Sequence, residues 1–157
     1  MAQEPRVRDL VTPLDAFGRI PIGAKLKDAV RAAGQAASRA VVVDDPGGRP
    51  IGVLPLRGLF EILQPRFARV SDWWVPLFWE GLLAERCAQA DAISIEEVVI
   101  PLRAVAVQAE DTVMNILYTM HKAKLDVLPV LEGDSLIGLV EAGRLFDEVA
   151  RLVTARC

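Results

Sequence analysis

Few residues of this 157-residue chain have the type and spacing that catalysis needs. His121 is the only histidine, and a lone histidine is neither a metal site nor half of a nucleophile pair. Glu96 and Glu97 are adjacent, so their side chains point to different sides of an extended or turn segment. The pair Gly47-Gly48 precedes a predicted strand, whereas a loop that cradles phosphate opens a helix. We therefore expect no catalytic residues, no metal site and no enzymatic activity.

Composition and charge argue against several classes of protein. The net charge of -3 gives no basic surface for nucleic acid. The apolar share of 52% is high, but the densest apolar run, residues 73–79, is far shorter than the roughly 18 residues of a membrane span. The N-terminal residues contain no apolar signal region, and Cys87 and Cys157 match neither a disulfide framework nor a metal spacing. We expect free thiols, a cytoplasmic location, and an apolar excess that is buried in a core or against a partner.

The chain contains a duplication. Residues 7–13 read VRDLVTP and residues 95–101 read IEEVVIP, with an acid, an aliphatic pair and a proline at matching places. Each opening is followed by a short apolar stretch, a helix, a hairpin and a closing helix, and Gly52 of the first hairpin corresponds to Gly138 of the second. The pattern predicts a first repeat over residues 1–64, a linker over 65–94 and a second repeat over 95–157.

Each copy is predicted to fold as strand, helix, strand, strand, helix, which makes the chain an α/β protein. The first helix of each copy carries apolar residues at helical spacing: Leu26, Ala29, Val30, Ala33 and Ala37 in the first, and Val113, Ile116, Leu117 and Met120 in the second. A three-stranded sheet with helices on one side leaves its other face bare. We therefore expect the two copies to pack sheet to sheet around a pseudo-twofold.

The linker carries all three tryptophans of the chain. Pro76 suits the first turn of a helix that runs to about Gln89, and the apolar residues of this helix are too widely spread for one stripe. Such a helix packs on its own domain or forms a homodimer interface, for which the candidates are Trp73, Trp74, Phe78 and Trp79. A heterologous partner or a membrane surface is a further alternative, although the helix has no basic face for lipid.

Taken together, these motifs resemble the cystathionine-beta-synthase (CBS) domain family. The first copy carries the resemblance in residues 7–13, the helix start Leu26-Lys27-Asp28-Ala29, Val41-Val42-Val43-Asp44 and Ile51-Gly52-Val53-Leu54; the second carries it in Leu128-Pro129-Val130 and Ile137-Gly138-Leu139-Val140. The resemblance implies a pair of CBS domains that acts as a regulatory module. It also implies adenosyl ligands (AMP, ADP, ATP or S-adenosylmethionine) in clefts between the copies, and a dimer.

The chain departs from the family pattern where the ligand is expected. In the family, a Ser or Thr after the strand meets phosphate, and an Asp three residues later holds the ribose hydroxyls. The corresponding residues are Pro55 and Gly58 in the first copy, and Glu141 and Arg144 in the second. Losing a charged hydrogen bond costs about 1.5–3 kcal/mol, and Glu141 would repel a phosphate.

Arg144 offers a replacement, because its guanidinium can hold a phosphate or a carboxylate in a two-pronged contact. The resemblance places a ligand near the second copy's motif, where the candidate residues are Arg144, Lys124, His121 and the backbone groups of Val107 and Leu128. The simpler interpretation of each side chain is structural: Arg144 is a solvated helix-face residue, His121 an ordinary helix-terminal residue and Lys124 a surface lysine.

Two functions follow from this pattern. One is a ligand-sensing module that regulates a separate enzyme or transporter. The other is a degenerate CBS pair that serves as a dimerisation or protein-interaction module without nucleotide, as the missing Ser/Thr and Asp suggest.

Overall fold

The computed structural model describes residues 4–64 and 80–155. The chain divides into two compact units: unit 1 combines Met1–Ala16 with Pro101–Cys157, and unit 2 is Phe17–Ile100. Each unit combines helices with a four-stranded sheet, which confirms the predicted α/β class. The predicted repeat boundaries describe the duplication in the sequence and remain a prediction, whereas the compact units divide the chain at other places.

The regular elements follow the predicted order. The strands are β1 (Thr12–Pro13), β2 (Gly18–Pro21), β3 (Val41–Asp44), β4 (Pro50–Leu54), β5 (Ile100–Pro101), β6 (Val107–Gln108), β7 (Val127–Glu132) and β8 (Ser135–Glu141). The α-helices are α1 (Leu26–Gln35), α2 (Leu56–Leu63), α3 (Leu82–Ala88), α4 (Leu102–Val105), α5 (Val113–Ala123) and α6 (Ala142–Ala155). Short 3-10 turns span Val7–Leu10, Leu14–Ala16 and Glu96–Val98.

The sheet of unit 2 has the strand order β2-β3-β4-β5. β2 and β3 are parallel and are joined by α1, while β3 and β4 form the predicted antiparallel hairpin. α1 buries Leu26, Ala29 and Ala33 against this sheet, but Val30, which the sequence places in the same stripe, is 49% exposed. The contact of α1 with the sheet is therefore narrow and is made by these three buried residues.

The sheet of unit 1 has the order β1-β8-β7-β6. β6 and β7 are parallel, and β7 and β8 form the second hairpin, whose Leu128, Val130 and Val140 are fully buried. α5 buries Ile116 completely, whereas Leu117 is 40% exposed. The core of this unit also contains Val7 and Leu10 from the beginning of the chain.

The prediction of three-stranded sheets is wrong, because each sheet gains a two-residue fourth strand from the opening segment of the other copy. β1, from the first copy, pairs antiparallel with β8 through Thr12 to Leu139 and Pro13 to Gly138. β5, from the second opening, lies beside β4. Gly138 and Gly52 permit these pairings: a Cβ on Gly138 would overlap the Thr12 carbonyl oxygen, and one on Gly52 would lie 3.0 Å from that of Ile100.

The predicted interface residues Trp73, Trp74, Phe78 and Trp79 lie outside the described residues, so their role stays a prediction. Within the predicted linker helix, the structure describes α3, which follows Gly81 at a φ of 78°. Arg86 of α3 donates to the carbonyl oxygens of Ile62 and Leu63 at 2.6 and 3.2 Å, which joins α3 to the end of α2. Among the described helices, none has the length and apolar character to cross a membrane.

Candidate functional site

Unit 1 contains a cavity of about 390 Å³ between the beginning of the chain and α6. We call residues 4–10 the N-terminal arm. The cavity is lined by charged side chains from both segments and by two apolar residues of the arm: Glu4, Pro5, Arg6, Asp9 and Leu10 from the arm, and Arg144, Glu148 and Arg151 from α6. Its volume lies within the roughly 300–1,000 Å³ of small-molecule sites.

Backbone hydrogen bonds and burial hold the arm in place. Val7 and Leu10 are 0% and 1% exposed, because the 3-10 turn points both side chains into the core of unit 1. The Val7 N–H donates to the Asp111 carbonyl at 3.0 Å, and the Arg8 N–H donates to that of Ala109 at 2.8 Å. The polar residues Arg6 and Asp9 are consequently left on the exposed side of the turn, where they line the cavity.

Ion pairs reinforce the same docking. The Arg8 guanidinium contacts Glu110 at 2.7 Å and Glu132 at 2.8 Å. These contacts tie the arm to the segment between β6 and α5 and to the end of β7. Because the Arg8 side chain is 45% exposed, solvent screens the pairs, and the buried Val7 and Leu10 remain the main anchor.

α6 presents Arg144, Glu148 and Arg151 to the cavity because a spacing of four and then three residues places side chains on one helix face. Leu145 points into the core and is 4% exposed. The start of the helix is fixed by the Ala142 N–H, which donates to the Asp126 carbonyl at 2.8 Å. The amphipathic pattern of α6 therefore builds one wall of the cavity.

Two of the three carboxylates that line the cavity, Glu148 and Asp9, already have partners. Glu148 is only 7% exposed and accepts hydrogen bonds from the Arg151 guanidinium. These bonds, together with the positive charges of Arg151 and Arg144, hold the pKa of Glu148 below its ordinary value. Asp9 accepts the backbone N–H of Arg6 at 2.8 Å through Oδ2. The negative charge of both groups is thus partly satisfied within the protein.

Arg144 is differently placed, because it donates to the carbonyl oxygen of Asp9 over a long distance of 3.4 Å. That acceptor is neutral, and a guanidinium carries five N–H donors, so the bond uses little of its capacity. Arg144 and Arg6 both line the cavity and are exposed. The arrangement suits an oxyanion that enters between these two arginines.

The structure brings one of the five predicted ligand residues, Arg144, to the cavity. His121 and Lys124 are exposed at the C-terminal end of α5, where Lys124 adopts a left-handed conformation with a φ of 57° and caps the helix. Val107 and Leu128 lie in the core at 2% and 0% exposure, paired within the sheet. Their side chains are therefore closed to a ligand, and the predicted contact through their backbone groups stays a prediction.

The corresponding positions of the first copy are closed. Pro55 and Gly58 are buried at the junction of β4 and α2. A Cβ on Gly58 would lie 2.9 Å from Cδ1 of Leu54 and 3.3 Å from the carbonyl oxygen of Val98. No side chain fits at Gly58 without displacing its neighbours, so this junction offers no carboxylate for a ligand.

Several cavity residues escape the sequence analysis. Glu148 and Arg151 carry a usable signal, because they fall on the helix face of Arg144. Arg6 and Asp9 carry none, since only the tertiary structure brings the arm next to α6. Within residues 4–64 and 80–155, no group of three or more His, Cys, Asp or Glu residues is arranged to hold a metal. Cys87 is a free, exposed thiol.

Comparison with known proteins agrees with this architecture. Residues 95–151 match the CBS domain family model. No curated protein matches the chain. Among solved structures, CBSX2, a CBS-pair protein from Arabidopsis thaliana, has a TM-score of 0.71 at 16% identity, covering 97% of this chain and 99% of that chain.

Two further solved structures contain nucleotides. CBSX2 in complex with AMP has a TM-score of 0.64 at 16% identity, with 94% of this chain and 98% of that chain covered. The CBS domain of the bacterial CNNM/CorC family Mg2+ transporter in complex with ATP also has a TM-score of 0.64 at 16% identity, with coverage of 93% and 87%. At this identity, the likeness shows the fold. Residues 95–151 therefore match a CBS domain, and the chain has the fold of the solved CBS-pair structures.

Proposed function

We propose that this chain is a regulatory module that senses a small anionic ligand in the cavity of unit 1, with an adenosyl nucleotide as the expected ligand. The observation that carries the proposal is the position of Arg144, which lines a cavity of suitable volume. The hydrogen bond from Arg144 to the Asp9 carbonyl uses one of the N–H groups of the guanidinium. Solved CBS structures that hold AMP and ATP support the choice of nucleotide.

Binding relies on charge and on the geometry of the guanidinium. Arg144 replaces the acidic residue that the family uses for ribose, so its contact is to the phosphate or to another oxyanion of the ligand. Glu148 does not oppose this charge fully, because Arg151 already neutralises it. Ligand binding changes the state that a partner recognises, and the module needs no catalytic group for that role.

The other predicted ligand contacts remain part of this proposal. His121 and Lys124 are exposed at the end of α5, and the backbone groups of Val107 and Leu128 lie in neighbouring strands. None of these four residues lines the cavity, so their contribution to binding stays a prediction. The regulated partner is a separate enzyme or transporter.

We also propose that the protein is a homodimer. Exposed apolar residues on α5 support a partner of some kind: Met114, Leu117 and Tyr118 are 70%, 40% and 60% exposed and share one helix face. The predicted interface runs through Trp73, Trp74, Phe78 and Trp79. Sedimentation at tens of micromolar should show a dimer that Trp74→Glu or Trp79→Glu dissociates. A monomer would contradict the dimer, and a dimer unchanged by both variants would place the interface elsewhere.

The ligand proposal is tested by thermal unfolding of the purified chain with AMP, ADP, ATP and S-adenosylmethionine. A ligand at 100 times its Kd stabilises the folded state by about 2.7 kcal/mol, which raises the Tm by roughly 5–10 °C. We expect Arg144→Ala to abolish the shift. Arg103→Ala is the matched control, because Arg103 is also in unit 1 but its side chain is 84% exposed and pairs with Asp134. No shift with any compound at millimolar concentration would contradict ligand sensing and favour an interaction module.

A further inference from the structure

We infer that the N-terminal arm forms half of the ligand site, with Arg6 as the second anion-binding residue, and that the ligand fastens the arm to α6. The inference rests on the proposed function and specifies the regulation of the same cavity. Five of the eight lining residues belong to the arm and three to α6, so a ligand in the cavity touches two segments that are far apart in the sequence.

The direct attachment of the arm to this face of α6 is weak. Arg144 reaches the arm through the 3.4 Å hydrogen bond to the Asp9 carbonyl, whose acceptor is neutral and whose donor and acceptor are solvent-accessible. The strong contacts of the arm are made elsewhere. Val7 and Leu10 are buried in the core of unit 1. The backbone N–H groups of Val7 and Arg8 donate to Asp111 and Ala109, and the Arg8 side chain pairs with Glu110 and Glu132. The side of the arm that faces the cavity therefore has room for a further interaction.

The charges indicate an oxyanion for this interaction. Three carboxylates and three guanidinium groups line the cavity. Asp9 accepts the backbone N–H of Arg6, Glu148 is paired with Arg151, and Glu4 is the remaining carboxylate. Arg6 and Arg144 then bring two guanidinium groups to the cavity, one from each segment. A phosphate that accepts from both replaces one long neutral hydrogen bond with charge-assisted bonds to each segment, which are shorter and stronger.

The arm is placed to transmit the effect. It continues through β1, which pairs with β8 at Thr12 and Pro13, and the chain passes into unit 2 at Phe17. Ordering the arm therefore acts on the segment that leads from one unit to the other. A ligand that holds Arg6 and Arg144 together should slow the opening of the arm, which the backbone amides of Val7 and Arg8 report through their hydrogen bonds.

The test combines binding with hydrogen exchange on the full chain. AMP, inorganic phosphate and adenosine are titrated into the natural protein, Arg6→Ala, Arg6→Lys and the control Arg103→Ala. We expect Arg6→Ala to weaken AMP about tenfold or more, Arg6→Lys to weaken it less, and Arg103→Ala to leave it unchanged. Adenosine, which lacks the phosphate, should bind weakly and equally to all four. AMP should slow exchange at Val7 and Arg8 in the natural protein, and less in Arg6→Ala.

The possible results separate the two proposals. AMP binding that depends on Arg144, is unchanged in Arg6→Ala and leaves exchange of the arm unaltered would overturn this inference and keep the proposed function. Binding of inorganic phosphate alone, with the same dependence on Arg6 and the same protection, would support the anion contact and identify the ligand as something other than a nucleotide. If neither phosphate nor any of AMP, ADP, ATP and S-adenosylmethionine binds, both proposals fail. An unliganded Tm of Arg6→Ala close to that of the natural protein would show that the variant is folded.

Discussion

The junction of β4 with α2 and the junction of β8 with α6 stand at equivalent places in the two copies but have opposite local chemistry. In unit 2 the junction is apolar and closed, with Pro55 and Gly58 buried. In unit 1 it carries Glu141 and Arg144, and Arg144 lines a cavity. The glycines that precede the junctions, Gly52 and Gly138, serve the same purpose in both, because each admits a fourth strand.

This difference shows which part of a duplicated unit is scaffold and which part can specialise. The paired strand and its glycine are fixed by backbone geometry, since any side chain there collides with the incoming strand. The first turn of the following helix has no such constraint in unit 1, where residue 144 is exposed. One copy has therefore filled its junction with core contacts, and the other has kept a charged, open one.

The largest expected effect comes from placing the family's acidic residue into both junctions. Gly58→Asp puts a Cβ within 2.9 Å of Leu54 and buries a carboxylate near the carbonyl oxygen of Val98. An unpaired buried charge costs about 3–5 kcal/mol. Arg144→Asp is exposed and lies in the first turn of α6, where an anion is tolerated, so we expect a change within about 1 kcal/mol. Urea unfolding measures both, and an equal loss in the two variants would refute the contrast between the junctions.

A second pair of variants tests the shared scaffold. Gly138→Ala forces its Cβ into the Thr12 carbonyl oxygen and should destabilise the protein by about 1–3 kcal/mol while weakening the pairing of β1 with β8. Gly143→Ala, five residues later in α6, meets nothing within 4 Å and should be neutral or stabilising by up to about 1 kcal/mol. Chemical denaturation distinguishes them. A neutral Gly138→Ala would mean that β1 is not required for the stability of unit 1.

The smallest expected effect concerns how the stability of unit 1 depends on pH through Glu148, which lies on the same face of α6 as Arg144. The Arg151 hydrogen bonds lower the pKa of Glu148 from its ordinary value of 4.5. Ionised Glu148 therefore stabilises the fold above about pH 4.5, and this contribution is lost as the pH falls through the lowered pKa. The stability difference between the natural protein and Glu148→Gln should shrink from about pH 6 to about pH 3. In proteins that also carry Arg151→Ala, the stability difference caused by Glu148→Gln should vary less with pH. If it varies as much as before, the pairing of Glu148 with Arg151 is not the cause of the pH dependence.

Much of the fold could be predicted from the sequence because local patterns determine it. A closing helix follows each hairpin as predicted, and both hairpins form where apolar runs flank turn residues. The two-residue strands β1 and β5 could not be predicted, since two residues carry no periodicity and their pairing partners lie in the other copy. Val30 and Leu117 fit the apolar stripes but are exposed, because periodicity marks a face and not the width of the contact.

The candidate site could be predicted only where one residue differed from the family pattern. Arg144 is such a residue, and it lines the cavity. Arg6 reaches the same cavity through the docking of the arm, which depends on the long-range hydrogen bonds of Val7 and Arg8 to Asp111 and Ala109. No local pattern encodes a contact across so much of the chain.

The central claim is that the open junction of unit 1 binds a ligand and the closed junction of unit 2 does not. Isothermal titration of the natural protein and of Arg144→Ala with AMP tests it most directly. We predict one AMP per chain for the natural protein and no measurable binding for Arg144→Ala. Two AMP molecules per chain or AMP binding that Arg144→Ala leaves intact would contradict the claim, as would a natural protein that binds none of AMP, ADP, ATP and S-adenosylmethionine.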